Sequence, residues 1–328
     1  MRNSSKILVG SVGIGILLFL LGPSVEAPII SKPLPRIELA LEDILQWVEA
    51  KEATFPNIKP DNQSKVIFAD SIPKQTEYAI VYLHGFSGSA EDGAPVHEQV
   101  AKAIGANLYL PRLYDHGLAI EEGLNQYTGE KSLDSAREAL VIGKKLGKKV
   151  ILMGTSTGCT LALTLASQNP EIAALVLYAP NIRIAHPMDF VATMPWGLQV
   201  VQFIQGSEYN IIDDKRPIKQ QYWTGKYRLE AVVQMQKLLE TTMNPSTFNQ
   251  VTQPVFSGFY YKNENEQDPV VSVAAMREMF QALGTPENKK VEMAFPNAGA
   301  HEIACHIVTD NHHQVKEATL SFLQQIVF

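Results

Sequence analysis

The chain has 328 residues, with 28 Lys and Arg against 34 Asp and Glu, and 45% of its side chains are hydrophobic. That length and apolar content suit one large domain with a sizeable core, and a net charge of −6 without any basic cluster interleaved with aromatics excludes nucleic acid as an expected partner. Neither a metal nor a cofactor is expected: there is no His-x-x-x-His, no Cys-x-x-Cys, no acidic calcium loop and no Gly-x-Gly-x-x-Gly turn.

Arg2 and Lys6 precede an uncharged apolar stretch over residues 7–25, long enough for an export signal and nearly long enough to span a bilayer. Val25-Glu26-Ala27 carries a small-x-small cleavage cue, but Pro28 directly after it obstructs cutting. Residues 1–27 are therefore expected to form an uncleaved signal anchor, with a signal peptide cut after Ala27 as the alternative. No cysteine stands nearby, which excludes a lipoprotein anchor. The basic flank puts the N-terminus in the cytoplasm and the rest of the chain outside it. The expected location is thus the bacterial cell envelope: a single pass through the inner membrane, or the periplasm if the signal is cut. Pro28, Pro33 and Pro35 then predict a short stiff tether. Ile37, Leu39, Leu41, Ile44, Leu45 and Val48 predict an amphipathic helix over about 36–51 that packs on the domain or on lipid. Residues 28–60 link the anchor to a domain over 61–328.

That domain opens with Glu77-Tyr78-Ala79-Ile80-Val81-Tyr82-Leu83, a β-rich run that ends in His84-Gly85-Phe86-Ser87-Gly88. A helix follows over 94–104, then a strand over 106–110, a loop over 112–117, and a helix over 132–146. Ser135, Glu138 and Lys144 mark that helix's polar face, so its apolar residues belong to the core. The apolar run Val150-Ile151-Leu152-Met153 meets Gly154-Thr155-Ser156-Thr157-Gly158 and then a helix-like stretch beginning at Cys159. This is strand, sharp turn and helix with a serine at the apex and a glycine two residues to either side, which lets strand and helix approach closely while Oγ stays exposed. A strand over 173–179 follows. After a long insert come a strand over 255–261, the acidic loop of Glu264, Glu266 and Asp268, a helix over 273–283, a strand over 290–295 leading to His301, and a terminal helix over 313–327. Apolar strands alternating with amphipathic helices predict a mostly parallel α/β sheet.

A serine hydroxyl is a weak nucleophile at neutral pH and needs a histidine base oriented by an acid. Asp268, Glu264 and Glu266 all follow the strand over 255–261, and of the eight histidines only His301 and His306 lie between the last strand and the terminal helix, which His312 and His313 open. At this point the residues leave both choices open.

A strand running into His84-Gly85-Phe86, followed by strand, Gly-x-Ser-x-Gly and helix, resembles the α/β-hydrolase superfamily. The insert before the acid strand resembles the branch of monoacylglycerol lipases and serine aminopeptidases, which implies a helical cap over about 182–250. The resemblance implies Ser156 as nucleophile, Asp268 within Asp268-Pro269-Val270-Val271 as the acid, His301 directly after the loop glycine as the base, and the backbone N–H groups of Phe86 and Thr157 as the oxyanion hole. It implies a structural role for His84, and Ser156 stands where a haloalkane dehalogenase would carry Asp. The function implied is an exported or membrane-anchored serine hydrolase that cleaves carboxylic esters through an acyl-enzyme without a cofactor. A serine-aminopeptidase-like peptidase and a catalytically silent binding module are the alternatives. The cap's Phe190, Met194, Trp196, Phe203, Ile204, Tyr222, Trp223, Leu238, Leu239 and Met243 favour a small-molecule ester with a hydrophobic part; most are expected to pack on the domain and roughly a third to line an acyl pocket. Cys159 and Cys305 are expected as buried free thiols rather than a bridge.

Overall fold

The computed structural model describes residues 19–328; residues 1–18, and with them most of the expected anchor, lie outside the described residues. Among the described residues no helix is long and apolar enough to cross a membrane. In chain order the strands are β1 (Lys65–Ile67), β2 (Thr76–Leu83), β3 (Asn107–Leu110), β4 (Gly147–Thr155), β5 (Ala174–Tyr178), β6 (Tyr209–Ile211), β7 (Lys226–Arg228), β8 (Val255–Phe259), β9 (Tyr261–Asn263), β10 (Glu266–Gln267) and β11 (Lys290–Ala294). The helices are α1 (Ile44–Glu52), α2 (Val96–Ala103), α3 (Gly129–Leu146), α4 (Thr157–Gln168), α5 (Gly197–Gln205), α6 (Pro217–Tyr222), α7 (Leu229–Thr242), α8 (Pro245–Gln250), α9 (Val273–Ala282) and α10 (His312–Phe322).

A seven-stranded sheet runs in the order β1-β3-β2-β4-β5-β8-β11. Only β1 is antiparallel to its neighbour; every other pair is parallel. The central strands are apolar at successive positions because both faces are covered. Ala79, Val81, Leu83, Leu152 and Leu177 point to one side, into a core with Leu133 and Leu140 of α3, Leu161 and Leu165 of α4, and Met276 of α9. Ile80, Tyr82, Ile151, Met153 and Tyr178 point to the other, against Val96 and Val100 of α2 and Val315 and Phe322 of α10.

Register then decides which loops become neighbours. Leu83 pairs with Gly154, Thr155 with Tyr178, and Ala294 with Phe259. The loop after β2 therefore lies beside the turn after β4, and the loops after β8 and β11 lie side by side at the same edge of the sheet. The two glycines of the β4–α4 turn allow the close approach: a Cβ on Gly158 would lie 1.8 Å from the carbonyl oxygen of Leu83, and one on Gly154 would lie 2.8 Å from it.

Three expectations change. The helix foreseen over 36–51 begins only at Ile44, after a 3₁₀ turn at Leu41–Asp43. Ile37, Leu39 and Leu41 recur every second residue, an extended pattern, and all three pack partly buried against the core; Ile44 and Val48, four apart, are the buried face of α1. The tether is strapped down along α3: Lys32 bonds Asp134 at 3.0 Å and also meets Glu130, while Arg137 donates to the carbonyls of Ile29 and Ile30. The cap is not wholly helical, since β6 and β7 form an antiparallel pair within it.

Candidate active site

Ser156 sits at φ 54°, ψ −120°, a conformation that L-residues seldom adopt. Holding a non-glycine residue there costs on the order of 1–3 kcal/mol, so the surroundings must impose it. They do so through the backbone. Ser156 N–H donates to Tyr178 O at 2.9 Å, and Ser156 O accepts from Cys159 N–H at 2.9 Å and Asn181 N–H at 3.1 Å. The side chain is thereby presented at the start of α4, where helical N–H groups favour negative charge.

Asp268 and His301 arrive from the neighbouring strand ends. Asp268 Oδ2 is 2.7 Å from His301 Nδ1, and Asp268 Oδ1 accepts from Val270 N–H at 2.8 Å and Val271 N–H at 3.0 Å. The dipeptide Val270-Val271 after Pro269 thus fixes the carboxylate with its amides. Burial pulls the His301 pKa down, but the charge and hydrogen bond of Asp268 outweigh it and hold it at about 9. His301 Nε2 is buried and has no partner among the described residues, and no hydrogen bond joins it to Ser156, although both residues line one cavity. The other candidate residues lie elsewhere. Glu264 accepts from Tyr261 and Glu266 pairs with Lys262, both on the exposed β9–β10 hairpin, and His306 Nδ1 donates to Ala94 O at 3.1 Å, away from that cavity.

Phe86 and Thr157 line the same cavity, and among the described residues neither backbone N–H is taken by an acceptor. Behind them lies a carboxylate that sequence reasoning missed. Asp92, fully buried, accepts from Gly85 N–H at 2.6 Å and from Tyr82 Oη–H at 2.5 Å; Tyr82 Oη in turn lies 2.8 Å from Thr155 Oγ1. Asp92 and Tyr82 together so join the loop that carries Phe86 to the residue before Ser156. Burial pushes the Asp92 pKa up to about 7 against the opposing pull of the Tyr82 and Gly85 hydrogen bonds. Asp92 stands in an acidic run, Glu91-Asp92, that reads as solvated surface, and only the fold turns it inward. His84 is structural: its Nε2 accepts from Leu113 N–H at 3.1 Å, and burial, with His116 and Arg112 nearby, drives its pKa well below the ordinary value.

The cavity measures about 420 Å³ and is closed by the cap, with Ile184, Ile212, Trp223, Tyr227, Val232 and Met235 as its apolar wall. The cap is pinned to the loop that carries Phe86 by Thr224 N–H, which donates to Ser87 O at 2.7 Å. The expected pocket residues need correction. Of the ten large apolar side chains singled out, only Trp223 lines this cavity, and Phe190, Met194, Trp196, Phe203 and Ile204 are exposed instead of packed. The hydrophobic content of the insert located the cap but did not reveal which face turns inward. Cys159 and Cys305 are separate buried thiols, with burial raising both pKa values, that of Cys305 to about 12.

The family model for serine aminopeptidase, S33, matches residues 74–306, from the start of β2 to beyond His301. The chain belongs to this family. A thermostable monoacylglycerol lipase of Bacillus sp. (strain H-257) is 33% identical over 97 residues, which is 30% of this chain and 38% of that protein; the chain thus matches well under half the length of this curated relative. Among solved structures, a metagenome-derived lipolytic enzyme of the LipS and LipT pair superposes with a TM-score of 0.65 at 17% identity, covering 81% of this chain and 99% of its own. The monoacylglycerol lipase of Paleococcus ferrophilus superposes at 0.55 with 15% identity, covering 79% and 98% respectively. These likenesses establish the α/β-hydrolase fold, a mostly parallel sheet with helices on both faces and a cap before the acid strand.

Proposed function

We propose that this S33-family protein is a serine hydrolase of carboxylic esters with an apolar acyl part, working through Ser156, His301 and Asp268. The reading is carried by one observation: His301, paired through Nδ1 with Asp268, and the strained Ser156 line a single cap-covered cavity whose wall is mostly apolar. His301 Nε2 takes the Ser156 proton, Oγ adds to the ester carbonyl, and the Phe86 and Thr157 N–H groups receive the oxyanion, each worth about 3 kcal/mol. His301 then protonates the departing alcohol. Water, deprotonated by the same nitrogen, releases the acid from Ser156. The lipase relatives support an ester substrate, and the cavity's carboxylates favour it over an amine-bearing peptide. Asp214 is engaged by Arg216, Glu302 by Lys219 and Asp92 by Tyr82 and Gly85, so each carboxylate is already paired.

The uncharged residues 7–25 support export, with the domain held outside the cytoplasm at a bacterial inner membrane or released after cleavage. The decisive experiment is fluorophosphonate labelling of the full chain beside Ser156→Ala, together with p-nitrophenyl esters of increasing acyl length. Labelling and turnover confined to the parent are the expected result. A folded parent that takes no label rejects the enzyme reading.

A further inference from the structure

The outer surface of the cap carries an apolar stripe that the hydrolytic site does not use. Phe203 is 86% and Ile204 69% exposed, and Val200 is exposed beside them. With Trp196 they stand at spacings of four, seven and eight residues, so they share one face of the α5 segment, whose opposite side rests on the 3₁₀ turn at Asp189–Thr193 and on α7. Residues 190–207 hold no charged side chain. A contiguous, uncharged stripe of this kind marks an interaction surface rather than ordinary scattered exposure. None of these residues lines the cavity behind Ser156.

A second observation says what covers the stripe. The described chain begins with Phe19, Leu20 and Leu21, all exposed, at the end of the uncharged run over residues 7–25. It then turns against the cap. Trp196 N–H donates to Pro23 O at 2.9 Å, and Gly22 lies so close that a Cβ there would be 2.1 Å from the indole Nε1. The apolar N-terminal run therefore ends at the edge of the cap's apolar stripe.

We propose that the stripe docks on the surface of a lipid bilayer, the same bilayer that receives the N-terminal run, so that the domain lies cap-down on the membrane. This rests on the membrane-anchored reading given above. An uncharged helix face with Phe, Ile and Val, flanked by a tryptophan, suits the boundary between headgroups and acyl chains. The cap then has two sides with two tasks: Ile212, Val232 and Met235 wall the cavity, and Phe203 and Ile204 hold the molecule on the phase from which an apolar ester comes.

The test uses the full chain carrying Phe203→Cys with an environment-sensitive fluorophore; both native thiols are buried, which directs the label to position 203. Ile72→Cys, at a site 74% exposed before β2, serves as the reference. With phosphatidylcholine vesicles bearing brominated acyl chains, the label at 203 is expected to shift to the blue and be quenched while that at 72 is not. Flotation with vesicles but no change at 203 overturns cap docking and leaves the anchor reading standing. Failure to float overturns both. A blue shift without vesicles that grows with protein concentration assigns the stripe to a second copy of the chain and overturns the proposal. The paired substitutions Phe203→Asp and Ile204→Asp should lower turnover of a vesicle-borne monoacyl ester about tenfold while leaving kcat/KM for soluble p-nitrophenyl acetate within about twofold. Equal turnover of the vesicle substrate by variant and parent, or equal loss on both substrates, counts against it.

Discussion

The loops at the carboxyl edge of the sheet and the outer face of the cap make opposite use of similar apolar sequence. At the edge, hydrogen bonds hold the Asp268 carboxylate, the Ser156 backbone and the Phe86 loop. Asp268 is fixed by two amides and His301, Ser156 by its contacts to Tyr178, Cys159 and Asn181, and the Phe86 loop by Asp92. On the cap, α5 is held along one side only and leaves its largest side chains uncovered. Register between buried strands fixes position to a fraction of a residue, because a one-residue slip would reverse both cores. A helix lying on two others carries no such constraint, so its rotation answers to whatever covers it.

The sharpest way to test the fixed side of that comparison is Ser156→Ala, which is expected to reduce kcat/KM for esters about 10⁵-fold or more without lowering stability. Ser156→Gly makes a companion. If the backbone is strained, it abolishes activity yet raises the melting temperature, because glycine accepts a positive φ freely; a lower melting temperature would contradict stored strain. Asp268→Asn is expected to cost about 10³–10⁴-fold in kcat through loss of the correct tautomer. The same change tests the His301 pKa. In the parent, kcat/KM should rise with pH until His301 loses its proton near pH 9, and the Asn variant should bring that limb to lower pH. For stability the sign is that of a raised group: the His301 contribution is complete below its ordinary value of 6.5 and fades as pH climbs through about 9. Chemical denaturation across that window should show the decline in the parent and a flatter profile in the variant.

A smaller effect is expected from Asp92→Asn. An amide has one acceptor oxygen in place of two, so it cannot accept from Gly85 N–H and Tyr82 Oη–H together; the link between the Phe86 loop and Tyr82 is weakened, and kcat should fall about tenfold to a hundredfold with KM little changed. Loss of stability with kcat intact would make Asp92 a folding residue alone. The smallest effect belongs to the cap wall: Val232→Phe should cost long-chain esters about tenfold in kcat/KM and leave acetate esters untouched, since one added ring takes up cavity volume that only a long chain needs. Uniform loss across chain lengths would instead place Val232 in support of the catalytic loops.

What sequence reasoning missed has a common cause. Asp92 reads as half of an acidic surface pair, Ile212 and Val232 carry no motif, and Ile37-Glu38-Leu39 reads as part of a helix when considered without the core it lies on. Each takes its role from a neighbour remote in the chain: Asp92 from Tyr82 and Gly85, Val232 from the cavity behind Ser156, and Ile37 from the core that includes α3.

The alternation of apolar strands and amphipathic helices, the Gly154 to Gly158 turn and the His84-Gly85-Phe86 run determined the sheet, the sharp strand-to-helix turn at Ser156 and the order in which Ser156, Asp268 and His301 occur along the chain. These are local patterns, written within a few residues of where they act. Only the tertiary structure brought Asp268 rather than Glu264 or Glu266 against His301, turned Asp92 inward, and set which side of the cap faces the cavity. Those outcomes depend on strand register and on packing between segments far apart in the chain, where burial makes an unpaired charge costly and leaves one arrangement that satisfies each buried polar group.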